Sequence, residues 1–188
     1  MTPLDLALVL LLLLLTPGPT NSLVLLAGAE RGLAGAVRLI PAELAGYLLT
    51  VLPLALVGAT VLEDQPALRT AVTLAAALWV AVLAARLWRL PAGEPGQHSV
   101  GARTLFVTTA LNPKALIFGL VLLPSTDRLG WNLALFAALV VAVALFWAGL
   151  GAALGGRRQP RALLMLRRLA SVFLGMMSLV LALRGVGA

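Results

Sequence analysis

The 188-residue chain has no cysteine and a single histidine, His98. The first absence removes disulfides, thiolate metal sites and thiol redox relays. The second leaves a histidine-based metal site or a catalytic triad without members to draw on. No glycine-rich phosphate loop is present either, so no metal, cofactor or nucleotide is expected. Charge is scarce: 11% of residues carry one, against about 25% in an ordinary soluble domain.

What remains is apolar. Hydrophobic residues make up 61% of the chain, and the mean hydropathy is +1.04. Too little polar surface is available to cover a water-exposed globule, so lipid must be the solvent for most of it. At about 20 residues per span there is room for six helices and short loops, with no separate soluble domain. The net charge of +7 reads as basic cytoplasmic loops and not as a nucleic-acid surface.

Charged residues punctuate the predicted spans: helix 1 over about 4–27, helix 2 over 34–60, helix 3 over 68–88, helix 4 over 103–123, helix 5 over 131–155 and helix 6 over 163–184. Val9 to Leu15 has a signal-peptide-like apolar core, but Met1 to Asp5 holds no Lys or Arg, so helix 1 is read as a span. Helices 3 and 6 have short uncharged cores and need Arg69, Arg86, Arg167 and Arg168 to snorkel to the headgroups. Pro91 to Ser99 is a Pro/Gly-rich midpoint linker. The loops after helices 1, 3 and 5 carry ten arginines and the other side three. That bias predicts both termini outside.

The two halves echo each other. Thr16-Pro17-Gly18-Pro19-Thr20-Asn21 interrupts helix 1, Asn112-Pro113-Lys114 interrupts helix 4, and Pro17 and Pro113 lie 96 residues apart. Val82 to Arg86 and Val180 to Arg184 repeat at an offset of 98. Two three-helix units are therefore expected, about 1–91 and 102–188, joined by a linker over about 92–101. An odd helix number forces them into opposite orientations.

Proline removes a backbone hydrogen bond from a helix, and in lipid such breaks survive where they face protein or a wet cavity. Paired breaks in matching places point to a transporter's binding site. The candidate binding residues are Thr16, Pro17, Gly18, Pro19, Asn21, Asn112, Pro113 and Lys114. Thr20, Thr108 and Thr109 add hydroxyls beside the breaks. Lys114, the sole lysine, is a substrate-carboxylate anchor, a proton-accepting amine, or a cap for carbonyls freed by Pro113. Glu43, about two turns inside helix 2, holds a proton, pairs with a cationic substrate, or pairs with an arginine. Gly28, Gly32, Gly35, Gly151 and Gly155 suit close helix approach. The four tryptophans and Tyr47 divide between interface anchoring and core packing, with no ligand role.

Pro17-Gly18-Pro19-x-Asn21, Gly32 and Gly46 around helix 2, and Asn112-Pro113-Lys114 together resemble the lysine-exporter (LysE/RhtB) family of amino-acid exporters. The resemblance spans nearly the whole chain, with departures at Thr20, where Asn is common, and at Ile40-Pro41-Ala42-Glu43. It implies an all-α, multi-pass protein of the bacterial inner membrane, six helices in two inverted repeats, and proton-driven export of an amino acid or related solute. Glu43 or Lys114 would then carry the coupling proton. The alternative is a relative that moves a lipid, a glycolipid precursor or an ion. A membrane enzyme is disfavoured by the missing cysteines and the lone loop histidine. Self-association into a homo-oligomer stays open.

Overall fold

The structure, a computed structural model, describes residues 2–62, 66–89, 100–124, 128–155 and 160–186. The linker Pro91 to Ser99, with His98, lies outside the described residues. Those residues that are described form helices and their connections, with no strand among them.

Helix 1 of the sequence is two helices, α1 (Pro3–Leu15) and α2 (Pro19–Val37). Thr2 and Asp5 cap α1 reciprocally: the Asp5 amide donates to Thr2 Oγ1 at 3.2 Å and the Thr2 amide to Asp5 Oδ2 at 2.9 Å. Pro19 opens α2, where its missing N–H costs nothing. The two axes bend by 64° across the break. Then come α3 (Ile40–Leu62) and α4 (Pro66–Arg89). Helix 4 is likewise split, into α5 (Ala102–Ala110) and α6 (Pro113–Ile117), which runs on as a π turn over Phe118–Leu122. Its bend is 47°. α7 (Leu129–Gly155) and α8 (Pro160–Val186) complete the described chain.

Helix 1 runs ten residues past its expected end, and helix 2 begins at Ile40 instead of 34. Charges placed in a loop by the expected bounds lie inside α2 and have partners there. Glu30 Oε1 accepts from Arg167 Nε of α8 at 3.0 Å, and Arg31 donates to the Val100 carbonyl. Gly32, at φ 71°, takes a backbone conformation that side chains disfavour and kinks the helix without ending it. Arg167 therefore does not snorkel; it is buried and paired. Arg168 lies over the Trp88 ring at 4.0 Å, and Arg86 is exposed. The side chain of Arg69 lies outside the described residues.

Three packings build the bundle. α2 runs parallel to α7 with backbone nearly touching backbone: a Cβ added to Gly151 would sit 1.9 Å from the Leu25 carbonyl oxygen, and one on Gly28 2.2 Å from that of Ala148. α3 packs along α5 and the π turn, again through glycine, since a Cβ on Gly46 would meet the Phe106 carbonyl at 2.6 Å. α4 and α8 run antiparallel, with Ser171 Oγ donating to the Ala84 carbonyl at 2.6 Å and Ser178 Oγ to that of Ala77 at 2.8 Å. For whole helices of the sequence, helix 1 against helix 5 corresponds to helix 4 against helix 2, and helix 3 packs on helix 6; within the first pair α2 dominates, within the second α5.

Among the described residues, Leu129–Gly155 and Leu164–Leu183 are long and apolar enough to cross a membrane. Each bent pair also qualifies when taken as one span. Tyr47 is wholly inside, while Trp88 and Trp131 are exposed at the surface.

Candidate functional site

The break in helix 1 frees the carbonyls at the end of α1, because residues 16 to 18 leave the helix before Pro19 restarts it. In lipid such carbonyls need donors. Asn21 turns back and donates its amide to the Leu14 carbonyl at 2.7 Å and to that of Thr16 at 3.0 Å. The second donor comes from the other half of the chain. Lys114 Nζ donates to the Leu13 carbonyl at 2.9 Å and also to the Thr16 carbonyl. Gly18 leaves room for it: a Cβ there would stand 3.3 Å from Nζ. Lys114 thus caps carbonyls, but those freed in helix 1 and not those freed beside its own Pro113. Each such charge-assisted bond contributes about 1.5–3 kcal/mol.

The break in helix 4 closes differently. Asn112 Oδ1 accepts from the Lys114 amide at 3.0 Å and so caps α6, while Thr50 Oγ1 of α3 donates to the Ala110 carbonyl at 2.8 Å. The Asn112 amide then reaches across to Thr20 Oγ1 at 2.9 Å and to the Tyr47 hydroxyl at 3.3 Å. Thr109 Oγ1 meets Thr20 at 3.3 Å. Thr20, Tyr47, Thr109 and Asn112 are all buried, and they tie the two breaks into one polar seam. Below it Tyr47, Phe118 and Phe136 pack their rings with centroids 5.0 to 5.9 Å apart.

Of the expected site residues, Lys114, Thr16, Gly18, Asn21 and Asn112 therefore converge. Pro19 is buried at the start of α2, Pro113 starts α6, and Pro17 is exposed and lines a cleft described below. Thr16 contributes its carbonyl; its hydroxyl is spent on Leu12 at 2.7 Å. Glu43 stands in the first turn of α3, not two turns inside, yet it is buried, and its Oε2 has no hydrogen-bond partner.

Tyr47, Thr50 and the Glu30–Arg167 pair were not among the expected site residues. Glu43, Tyr47 and Thr50 follow i, i+4, i+7 spacing on an otherwise apolar helix. That polar stripe was the available signal. Nothing in the sequence pairs Glu30 with an arginine 137 positions away.

Against known proteins, no curated protein and no solved structure matches the chain. The family described as LysE type translocator matches it over residues 11–186.

Proposed function

The chain belongs to the LysE type translocator family, and from that premise we propose that it exports an amino acid or a close derivative, coupled to the proton gradient. Membership makes it a membrane transporter of some solute. The cargo, the coupling and the six-span inverted repeat are our reading. The repeats are about 1–91 and 102–188, set in a bacterial inner membrane with both termini outside. The correspondence of helix packings between the halves supports the repeat, and the ten-to-three arginine bias supports the orientation.

The observation that carries the reading is Lys114 Nζ seated on the Leu13 and Thr16 carbonyls. A cation from one half fills a backbone gap in the other, so whatever enters that gap is felt by both. An ammonium has three N–H donors and each carbonyl oxygen two lone pairs. Lys114 keeps one donor for a cargo carboxylate, and the Leu13 carbonyl keeps a lone pair for a cargo ammonium, while the Thr16 carbonyl is filled by Lys114 and Asn21. Glu43 and Lys114 are the ionisable groups that would carry the coupling proton.

A growth-inhibition panel tests this function. Cells with and without the protein are challenged with single amino acids and dipeptides. Selective protection against one class of solute is expected, and equal sensitivity across the whole panel overturns the reading.

A further inference from the structure

Beside the helix 1 break lies a cleft of about 180 Å³ between α2, α7 and α8. Pro17 and Asn21 of the break form one end of its wall, and Leu25, Trp147, Ala170 and Phe173 form much of the rest. No acid and no base is among its described lining residues. Its mouth reaches the outer surface of the bundle at Leu169, which is 56% exposed. The comparable space at the helix 4 break, beside Asn112 and Pro113, is about 10 Å³, too small for more than about one water.

We propose that this cleft receives the apolar side chain of the cargo, whose charged groups sit at the helix 1 break. The cargo is then a neutral amino acid or derivative with a bulky apolar side chain. The inference rests on the reading that the break binds the cargo.

Three observations carry it. The cleft adjoins the break, with which it shares Pro17 and Asn21. Apolar cavities of about 150 Å³ hold a benzene ring, which makes this one large enough for a leucine- or phenylalanine-sized group. A cationic side chain would be buried there with no partner: Glu30 is already paired with Arg167, and Glu43 is not part of the wall.

The test uses the full chain in proteoliposomes, with counterflow of radiolabelled L-leucine, L-phenylalanine, L-serine and L-lysine and, in parallel, a fluorescent phospholipid. Leucine and phenylalanine should exceed serine and lysine by about tenfold or more, the scale on which apolar pockets discriminate. Serine or lysine moving as fast or faster overturns the cleft assignment and leaves amino-acid export standing. Movement of the phospholipid alone, or of no amino acid, overturns both. Two variants then act in opposite directions. Ala170→Leu fills the cleft and should lower the leucine-to-serine ratio, while Phe173→Ala widens it and should raise the phenylalanine-to-leucine ratio. If both insert and neither ratio moves, the assignment fails. If Ala170→Leu does not insert, the Phe173→Ala ratio decides alone.

Discussion

The two helix breaks look alike in sequence and are held in different ways. Helix 1 bends by 64°, and its freed carbonyls depend on Lys114 from the opposite half and on Asn21. Helix 4 bends by 47° and is closed by its own Asn112 cap and by Thr50. The first opens on a cleft of about 180 Å³, the second on about 10 Å³. A proline break is thus an opportunity and not yet a site. What decides is whether the orphaned carbonyls are closed by a neutral hydroxyl, as Thr50 closes Ala110, or by a charge that something else can also engage.

The comparison can be broken hardest through the wall behind the helix 1 break. Gly151→Leu places side-chain atoms where the Leu25 backbone already lies. A loss of about 3 kcal/mol or more is expected, read as failure to insert or as a collapsed unfolding temperature. Normal folding of that variant would mean that α2 and α7 are not in contact.

Next in size is the ion pair at the far end of α2. Removing one member of a buried pair costs about 3–5 kcal/mol, so Glu30→Gln should lower thermal stability sharply. Combining it with Arg167→Gln should restore part of the loss. A double variant as unstable as the sum of the two singles would show that Glu30 and Arg167 do not act as a pair.

A smaller effect separates the two asparagines. Asn112→Leu removes the α6 cap, worth about 1 kcal/mol, together with the bonds to Thr20 and Tyr47. Asn21→Leu strips two bonds within helix 1, where the Thr16 carbonyl retains Lys114. Asn112→Leu should therefore destabilise more, while both reduce export. Equal melting temperatures would erase the distinction between a break held by neutral side chains and one held by the Lys114 charge.

The proposed orientation of helix 4 in the membrane is tested without disturbing either break. The chain has no native cysteine, and a Cβ at Gly101 or Gly130 meets nothing within 4 Å. A cysteine at Gly130 should react with an impermeant reagent in intact cells, and one at Gly101 should not. The reverse pattern would invert the topology.

Much of this was legible in the sequence, for physical reasons. Apolar runs punctuated by charge pointed to the stretches that the described residues fold as helices, since lipid solvation writes itself into composition. Pro17, Pro19 and Pro113 located both breaks, since proline's missing donor is a local fact. The family resemblance built on those motifs agrees with the match over residues 11–186. The end of helix 1 was not legible. Glu30 and Arg31 read as loop charges because their partners, Arg167 and the Val100 carbonyl, are remote in sequence. Lys114 was singled out as the lone lysine, yet its acceptors on α1 depend on how the halves meet, which no local pattern encodes.

The central claim is that Lys114 joins the two halves at a cargo site and does more than cap carbonyls. Lys114→Met tests it most directly, because it removes the charge and keeps the bulk, while the Thr16 carbonyl retains Asn21 as a donor. Membrane insertion should hold, and the melting temperature should fall, since the Leu13 carbonyl loses its Lys114 donor, with relief of a buried charge offsetting part of the loss. Counterflow of a cargo amino acid should fall by about 100-fold, the scale of a mispositioned binding group. A Lys114→Met protein that inserts and still exports near the wild-type rate would contradict the account.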